Sequence, residues 1–335
     1  MKIDAGTTWD LGAVGDEARG LEELGYTGLK SIETAHDPFL PLLLAAQTTT
    51  KVDLITAIVV AFARSPMTLA NVAHDLNAAA SGRLILGLGS QIRPHIKKRF
   101  SMPWSEPAAR MREYVLALHA IWDTWYNGKP LKFSGKFYSH TLMTPFFAPT
   151  NTEFGRPKVY LAAVGPLMTE VAGEVADGLL VHGFTTEAYL RNVTLPALKR
   201  GFAKSDRSHS GFEISYPVFS IVGRDDQEIK ASTQAVREQV AFYGSTPAYQ
   251  PVLDSIGAGE LQAPLNAMSK QGKWKEMGDL ISDDILDEFA VVGTPTDVAN
   301  QIKARYGDII ERTGVSLTNL DTAQRVEFIK AINSA

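Results

Sequence analysis

Four short stretches of the chain hold residue types that can move protons or cradle a flat ligand: "ETAHDPF" from Glu33 to Phe39, "GLGSQ" from Gly87 to Gln91, "AAVGPLMTE" from Ala162 to Glu170, and "VHGF" from Val181 to Phe184. In the first, His36 stands beside Asp37. Imidazole titrates near pH 6.5 and a neighbouring carboxylate holds its charged form, so the pair can serve as acid or base. Glu33 adds a second carboxylate three residues earlier. Ser90, Gln91 and His182 extend this polar set. Gly87 and Gly89 fall at the first and third positions of a dinucleotide-binding turn, but the sixth position is Ile92 and the next acidic residue, Glu106, precedes a helix. The turn therefore lacks the close helix packing and the ribose-binding acid of that fold. Gly165 and Pro166 open a helical segment whose free amides suit a phosphate. No His-Glu-x-x-His, no histidine pair at ligand spacing, no Gly-x-Ser-x-Gly elbow and no phosphate loop of the Walker type occurs, so no metal site, zinc hydrolysis or serine nucleophile is expected.

These stretches have to be positioned by a regular scaffold. Apolar runs rich in Val, Ile and Leu predict strands over residues 3–6, 28–32, 53–61, 83–87, 158–163, 178–182, 214–222 and 315–317. Several, such as "DLITAIVVAFA", are apolar on both faces, as covered parallel strands are. Segments of helical period separate them. In the fourth, Met111, Val115, Leu118, Trp122 and Trp125 make one apolar stripe. Eight strand-helix pairs favour a closed (β/α)8 barrel over a doubly wound sheet, and active sites of such barrels lie at the C-terminal strand ends, where the four stretches fall. The surplus length predicts a single α/β barrel domain over residues 1–335 with insertions near 128–157 and 244–289, the first containing a hairpin in "KPLKFSGKFYSH" that turns at Ser134 to Lys136.

With 335 residues and a net charge of −4, no global attraction to nucleic acid or an anionic membrane is expected. The absence of cysteine excludes disulfides and thiolate chemistry and fits a reducing cytoplasm. The N-terminus "MKIDAGTTWD" has no apolar core of a signal peptide, and no run reaches the 18 apolar residues of a membrane span.

"AHDPFLPLLLAAQTT", "TAIVVAFARSPMTLANVAHDLNAAASGRLILGLGSQ", "RFSMPWSEPAARMREYVLALHAIW", "VYLAAVGPLMTEVAGEVADGLLVH" and "VVGTPTDVANQIKARY" together cover most of the chain. Their combination resembles the bacterial luciferase-like superfamily, in particular its branch of oxidoreductases that use the deazaflavin coenzyme F420. The resemblance implies a luciferase-like (β/α)8 TIM barrel and hydride transfer between F420 and a small organic substrate: an alcohol, aldehyde, ketone or activated alkene. It implies a homodimer, catalytic roles among His36, Asp37 and Glu33, and a cofactor site formed by Ala57, Ile58, Val60, Gly87, Gly89, Ser90, Gln91, Ala163, Val164, Gly165, Pro166, Leu167, Met168 and His182. It also implies a non-proline cis peptide between Ala57 and Ile58, with bare backbone at Gly87 and Gly89 clearing space for the ring.

An FMN-dependent monooxygenase on the same fold is the alternative, and a cofactor-binding homologue without turnover is a second. Here the order after the second strand is His36 then Asp37, where many relatives carry Asp then His, which leaves the identity of the base open. "HGFTTE" replaces the lysine that sugar-phosphate dehydrogenases of this branch place after the sixth strand, which argues against a sugar phosphate. Phe39, Phe62, Phe184, Tyr243 and Tyr249 suggest a less polar substrate. The cations Arg93, His95, Lys97, Lys98 and Arg99 lie just beyond "GLGSQ", where they could attract the acidic lactyl-oligoglutamate tail that F420 carries and FMN does not.

Overall fold

The structure, a computed structural model, describes residues 1–223, 225–317 and 320–334. Its strands are β1 (Lys2–Gly6), β2 (Gly28–Ser31), β3 (Asp53–Thr56), β4 (Val59–Val60), β5 (Leu84–Gly89), β6 (Phe133–Ser134), β7 (Ser139–His140), β8 (Lys158–Ala163), β9 (Gly178–Val181), β10 (Glu213–Pro217), β11 (Phe219–Val222), β12 (Ala290–Gly293) and β13 (Arg312–Gly314). One sheet runs β3-β2-β1-β13-β10-β9-β8-β5-β4, and β3 also pairs with β5, so the sheet closes on itself. With β3 and β4 sharing one position it has eight positions, which makes it the expected (β/α)8 barrel.

Three strand boundaries differ from the sequence expectation. The third strand is broken between Thr56 and Val59. The stretch read as one strand over 214–222 is two, because β11 leaves the barrel to pair in parallel with β12, Phe219 opposite Ala290. The last barrel strand is Arg312–Gly314, three residues before the expected Val315–Leu317. Its register is set by parallel pairing, with Arg312 opposite both Lys2 and Ser215, and this overrides the local apolar pattern.

Contacts divide the chain into two compact units, one of residues 5–180 and 197–213, the other of residues 1–4, 181–196 and 214–335. In the first, the predicted stripe of the helix Pro107–Asn127 is core: Met111, Val115, Leu118 and Trp122 are fully buried. The hairpin forms as β6 and β7, and Glu113 of that helix fixes it by accepting the amides of Lys136, Phe137 and Tyr138 at 2.6–2.8 Å. In the second unit, Asp4 and Arg312 form a fully buried ion pair at 3.5 Å. The helical stretch beginning at Glu187 contains a π turn, Leu190–Thr194, just before Pro196, whose missing N–H and ring clash with the carbonyl four residues back disfavour a regular turn there. Among the described residues, no helix is long and apolar enough to cross a membrane.

The break in the third strand is a bulge. Leu54 and Ile55 pair with Leu84 and Ile85, an offset of 30, whereas Val59 and Val60 pair with Leu88 and Gly89, an offset of 29. One extra residue is thus accommodated around Ala57 and Ile58, whose peptide bond is cis as expected. The bulged backbone is satisfied on both sides. Ala57 donates its N–H to the Ser31 carbonyl (2.8 Å), the Ile58 carbonyl accepts from Glu33 (3.1 Å), and the Thr56 hydroxyl donates to the Gly87 carbonyl (2.9 Å) while accepting the Gly87 N–H (2.8 Å).

The bulge also decides which residues can oppose it. A Cβ on Gly87 would collide with the Thr56 carbonyl and lie 2.6 Å from Leu180 Cδ1, and one on Gly89 would lie 2.6 Å from Ile58 Cδ1. The backbone partner cannot swing aside as a side chain can. Gly87→Ala is therefore expected to lower stability by about 3 kcal/mol or more, at the top of the overpacking range, or to prevent folding. Gly165→Ala, at a φ of −83° with nothing within 4 Å, should stay within about 0.5 kcal/mol of the parent. Parallel denaturant titrations check this; equal stability of the two variants would contradict it.

Candidate functional site

The expected catalytic residues follow β2, and the structure separates their roles. Glu33 is buried and its carboxylate is committed: it accepts the Val60 N–H (2.7 Å) and the Arg64 guanidinium (2.7 and 2.9 Å). Arg64 also binds Asp37 Oδ2 at 2.9 Å, and Asp37 Oδ1 accepts the N–H of Phe39, where the helix Phe39–Thr48 begins, at 2.9 Å. Both carboxylates thus hold the loop and the bulge in place. His36 is different. It is exposed, and its ring stacks on Trp9 with centroids 5.1 Å apart and planes 30° apart. It touches neither Glu33 nor Asp37 through a hydrogen bond among the described contacts, so the expected His36-Asp37 pair is not formed.

Trp9 and Arg64 escaped the sequence reading, although each had a signal. Trp9 follows the first strand and Arg64 the third, the same kind of strand-end position that singled out His36.

The expectation that Gly87 and Gly89 clear space for a ring is corrected. The space beside them is filled by Thr56, Leu180 and Ile58, so these glycines serve the bulge. Ala57 and Ile58 are themselves half-buried, while Val60 is buried. Beyond β5, Ser90 donates to the Gln91 carbonyl (3.1 Å), and Gln91, at a φ of +57°, spends its side-chain oxygen on the Ile92 N–H (2.9 Å). Next comes a π turn, His95–Arg99, anchored by the buried Ile96. Arg99 is tied to the Thr34 carbonyl and lies over the Phe100 ring. Among the described residues, Arg93, Lys97 and Lys98 are exposed and make no ion pair.

After β8, Ala163 is buried, Val164 and Gly165 are half-buried, and Pro166 and Leu167 are exposed at the start of the helix Pro166–Val175, with Met168 half-buried on its first turn. No side chain caps this helix, and Gly165 leaves its approach open. The first-turn amides of Leu167 and Met168 are therefore available to an anion, and the open backbone fits a cofactor phosphate.

His182, in the other unit, is half-buried. Its Nδ1 accepts the Phe184 N–H at 3.0 Å, and its ring packs in a triangle with Tyr249 (stacked, 4.9 Å) and Tyr243 (edge-on, 4.8 Å), whose own centroids are 6.3 Å apart. Burial pushes its imidazole down to about 4. Of the aromatic residues expected to face a substrate, Phe39, Phe62 and Phe184 are instead buried core, whereas Tyr243 and Tyr249 remain half-exposed.

Comparison with known proteins agrees with this architecture. An uncharacterized protein of Mycobacterium tuberculosis is 50% identical over 312 residues, 93% of this chain and 92% of the relative. A 5,10-methylenetetrahydromethanopterin reductase of Archaeoglobus fulgidus is 28% identical over 71% of this chain and 68% of its own. The solved structure of the coenzyme F420 dependent tetrahydromethanopterin reductase from Methanopyrus kandleri superposes with a TM-score of 0.79 over 98% of this chain and 96% of that one, at 19% identity, which shows a shared fold. Residues 3–312 match the model of the luciferase-like monooxygenases. The chain belongs to the luciferase-like monooxygenase family.

Proposed function

We propose that the protein is an F420-dependent oxidoreductase that passes a hydride between the deazaflavin coenzyme and an organic alcohol, aldehyde, ketone or activated alkene. The observation that carries the choice of F420 over FMN is the turn of exposed cations after β5, where Arg93, Lys97 and Lys98 lack carboxylate partners. The reductase relative named above supports the same choice. An acidic oligoglutamate tail needs such a surface; FMN, which ends at its phosphate, does not. When bound, the deazaflavin would supply the carbon centre that accepts or donates the hydride.

The protein's own groups divide the remaining work. The open start of the helix Pro166–Val175 would hold the phosphate on the Leu167 and Met168 amides, in the dipole field of that helix. The half-buried backbone of Ala57 and Ile58, with Ser90 and Gln91, would border the ring. His36 would carry the proton that accompanies the hydride: it is exposed, oriented by Trp9, and uncommitted to the bulge. Glu33 and Asp37 act by position, since Arg64 and backbone amides take up their oxygens.

Titration with each cofactor checks the first part. F420 is expected to bind at micromolar concentration or tighter and FMN at least tenfold more weakly, a gap of about 1.4 kcal/mol. Equal or reversed affinities would favour the monooxygenase.

Replacing Arg93, Lys97 and Lys98 together by Ala should weaken F420 binding several-fold at low salt, since each exposed pair contributes about 0.2 to 1 kcal/mol. At about 0.5 M salt the Debye length shrinks to a few ångströms and the difference should largely vanish, as it should for a coenzyme fragment without the tail. An unchanged ratio of tailed to tailless binding in the triple variant rules out tail recognition by this turn.

His36→Ala should lower turnover by about a hundredfold or more with little change in cofactor affinity, the usual contribution of a general acid or base. Turnover close to that of the parent would assign His36 to the loop alone.

A further inference from the structure

We propose that the loop from Leu142 to Phe147 is a self-association surface, through which two copies of this chain pair about a two-fold axis with the phenyl rings of Phe146 and Phe147 inward. The family resemblance implied a homodimer without a face for it; this assignment supplies the face, and it depends on neither the cofactor nor the reaction.

Exposure singles the loop out. Leu142, Phe146 and Phe147 are 78%, 88% and 70% exposed. A single exposed apolar side chain is ordinary, but a cluster of them on one short loop marks an interaction site. From Thr141 to Thr152 no side chain carries a charge.

The rings are held in place before any partner arrives. Pro145–Phe147 is a turn of 3-10 helix in which the Phe147 N–H donates to the Thr144 carbonyl at 3.0 Å, and the two rings meet edge to face with centroids 5.2 Å apart. Pro145 and Pro149 fix φ on either side of them. Both ends of the segment are tied to the rest of this unit: β7, before it, pairs with β6, and the Gly155 carbonyl, after it, accepts Asn77 Nδ2 of the helix Pro66–Ala79 at 3.1 Å. An apolar projection that is already ordered loses little entropy on docking.

Area and charge choose a second copy as the occupant. A phenyl-bearing side chain buries about 150–250 Å², so at these exposures two copies of the loop cover about 1,000 Å² between them. A stable interface starts near about 1,200 Å², and the exposed flanks Thr141, Thr144 and Pro145 supply the difference. A two-fold axis sets a patch against itself, where like charges would repel; an uncharged apolar patch is its own complement.

Other occupants fit less well. An anionic lipid surface is held by a cluster of about four to eight cations, whereas in the neighbouring hairpin region Lys129 and Lys136 are paired with Asp123 and Glu106, which leaves Lys132. A head-to-tail contact needs an apolar pocket. The groove of about 460 Å³ along the helix Asp226–Gly244 is lined by Asp226, Lys230 and Arg237 and would not take a phenyl ring.

Sedimentation velocity of the full-length protein over a concentration series tests the assignment. The parent should pass from monomer to dimer as concentration rises, and hydrogen exchange of the amides between residues 141 and 149 should slow in step. Phe146→Asp with Phe147→Asp, and Phe146→Lys with Phe147→Lys, should each weaken dimerisation by about a hundredfold or more, the scale of two lost anchor side chains. Neither pair should move the denaturation midpoint, because the replaced rings pack into no core. An equimolar mixture of the two double variants should dimerise again, with opposite charges facing each other across the axis.

A parent that stays monomeric, a dimer that survives both double variants, or loop exchange that ignores concentration overturns the assignment. Failure of the mixture to recover overturns the two-fold arrangement. Pelleting of the parent with mixed phosphatidylglycerol and phosphatidylcholine vesicles, lost in the aspartate variant, would replace the second copy by a lipid surface. If the double variants fail to fold, the concentration dependence of exchange in the parent still decides.

Discussion

The structure around the loop that follows β2 depends on one residue too many in the third barrel strand. Parallel pairing with β5 demands equal spacing, and the offset changes from 30 to 29 across the bulge. The surplus backbone has to go somewhere. It pushes the Thr56 carbonyl into the volume that a side chain at position 87 would take, and Ile58 into the volume at position 89. Buried backbone around such a bulge is costly unless it is hydrogen-bonded, which is what Ser31 does for the Ala57 N–H, Glu33 for the Ile58 carbonyl, and the Thr56 hydroxyl for the Gly87 N–H and carbonyl. The two glycines, the threonine and the glutamate are thus one solution to one geometric problem.

The same constraint explains why the two carboxylates that flank the exposed His36 in sequence are engaged elsewhere. Glu33 is buried beside the bulge, and a buried carboxylate is tolerated only when paired and fully hydrogen-bonded. Arg64 supplies the charge and Val60 the amide. Because the guanidinium is a planar fork, its second arm reaches Asp37 and fixes the start of the next helix as well. The result is a rigid frame from the end of β2 to the end of β4, with His36 left outside it. Removing Arg64 would strand the buried Glu33 carboxylate, so the frame is not easily simplified.

Much of this was legible in the sequence and part was not, for physical reasons. The barrel was readable because eight apolar runs alternate with helical segments, and the apolar stripe from Met111 to Trp125 could face only a core. The strand ends were readable for the same reason, so His36, Gln91, Gly165 and His182 could be named. What the sequence could not reveal was which polar atoms were already engaged. "ETAHD" shows three titratable groups within five residues, but whether Glu33 points to a proton or to the Val60 amide depends on a bulge some 25 residues away. Likewise, a glycine pair marks bare backbone without saying whether a ligand or the protein's own carbonyl occupies the space. The strand Ala290–Gly293 was invisible because its partner, β11, had been read as the continuation of β10.

The exposed cations after β5 and the ring cluster at His182 are governed by opposite physics. Exposed cations act through long-range attraction, each weak, additive and screened by salt, which suits a flexible tail whose own conformations multiply. They accelerate encounter and tolerate variation in tail length, but they discriminate poorly between one anion and another. The His182 cluster carries no charged side chain. Its imidazole Nδ1 is held by the Phe184 N–H and its ring by Tyr243 and Tyr249, so its geometry is set at short range by packing and one hydrogen bond and is little affected by salt.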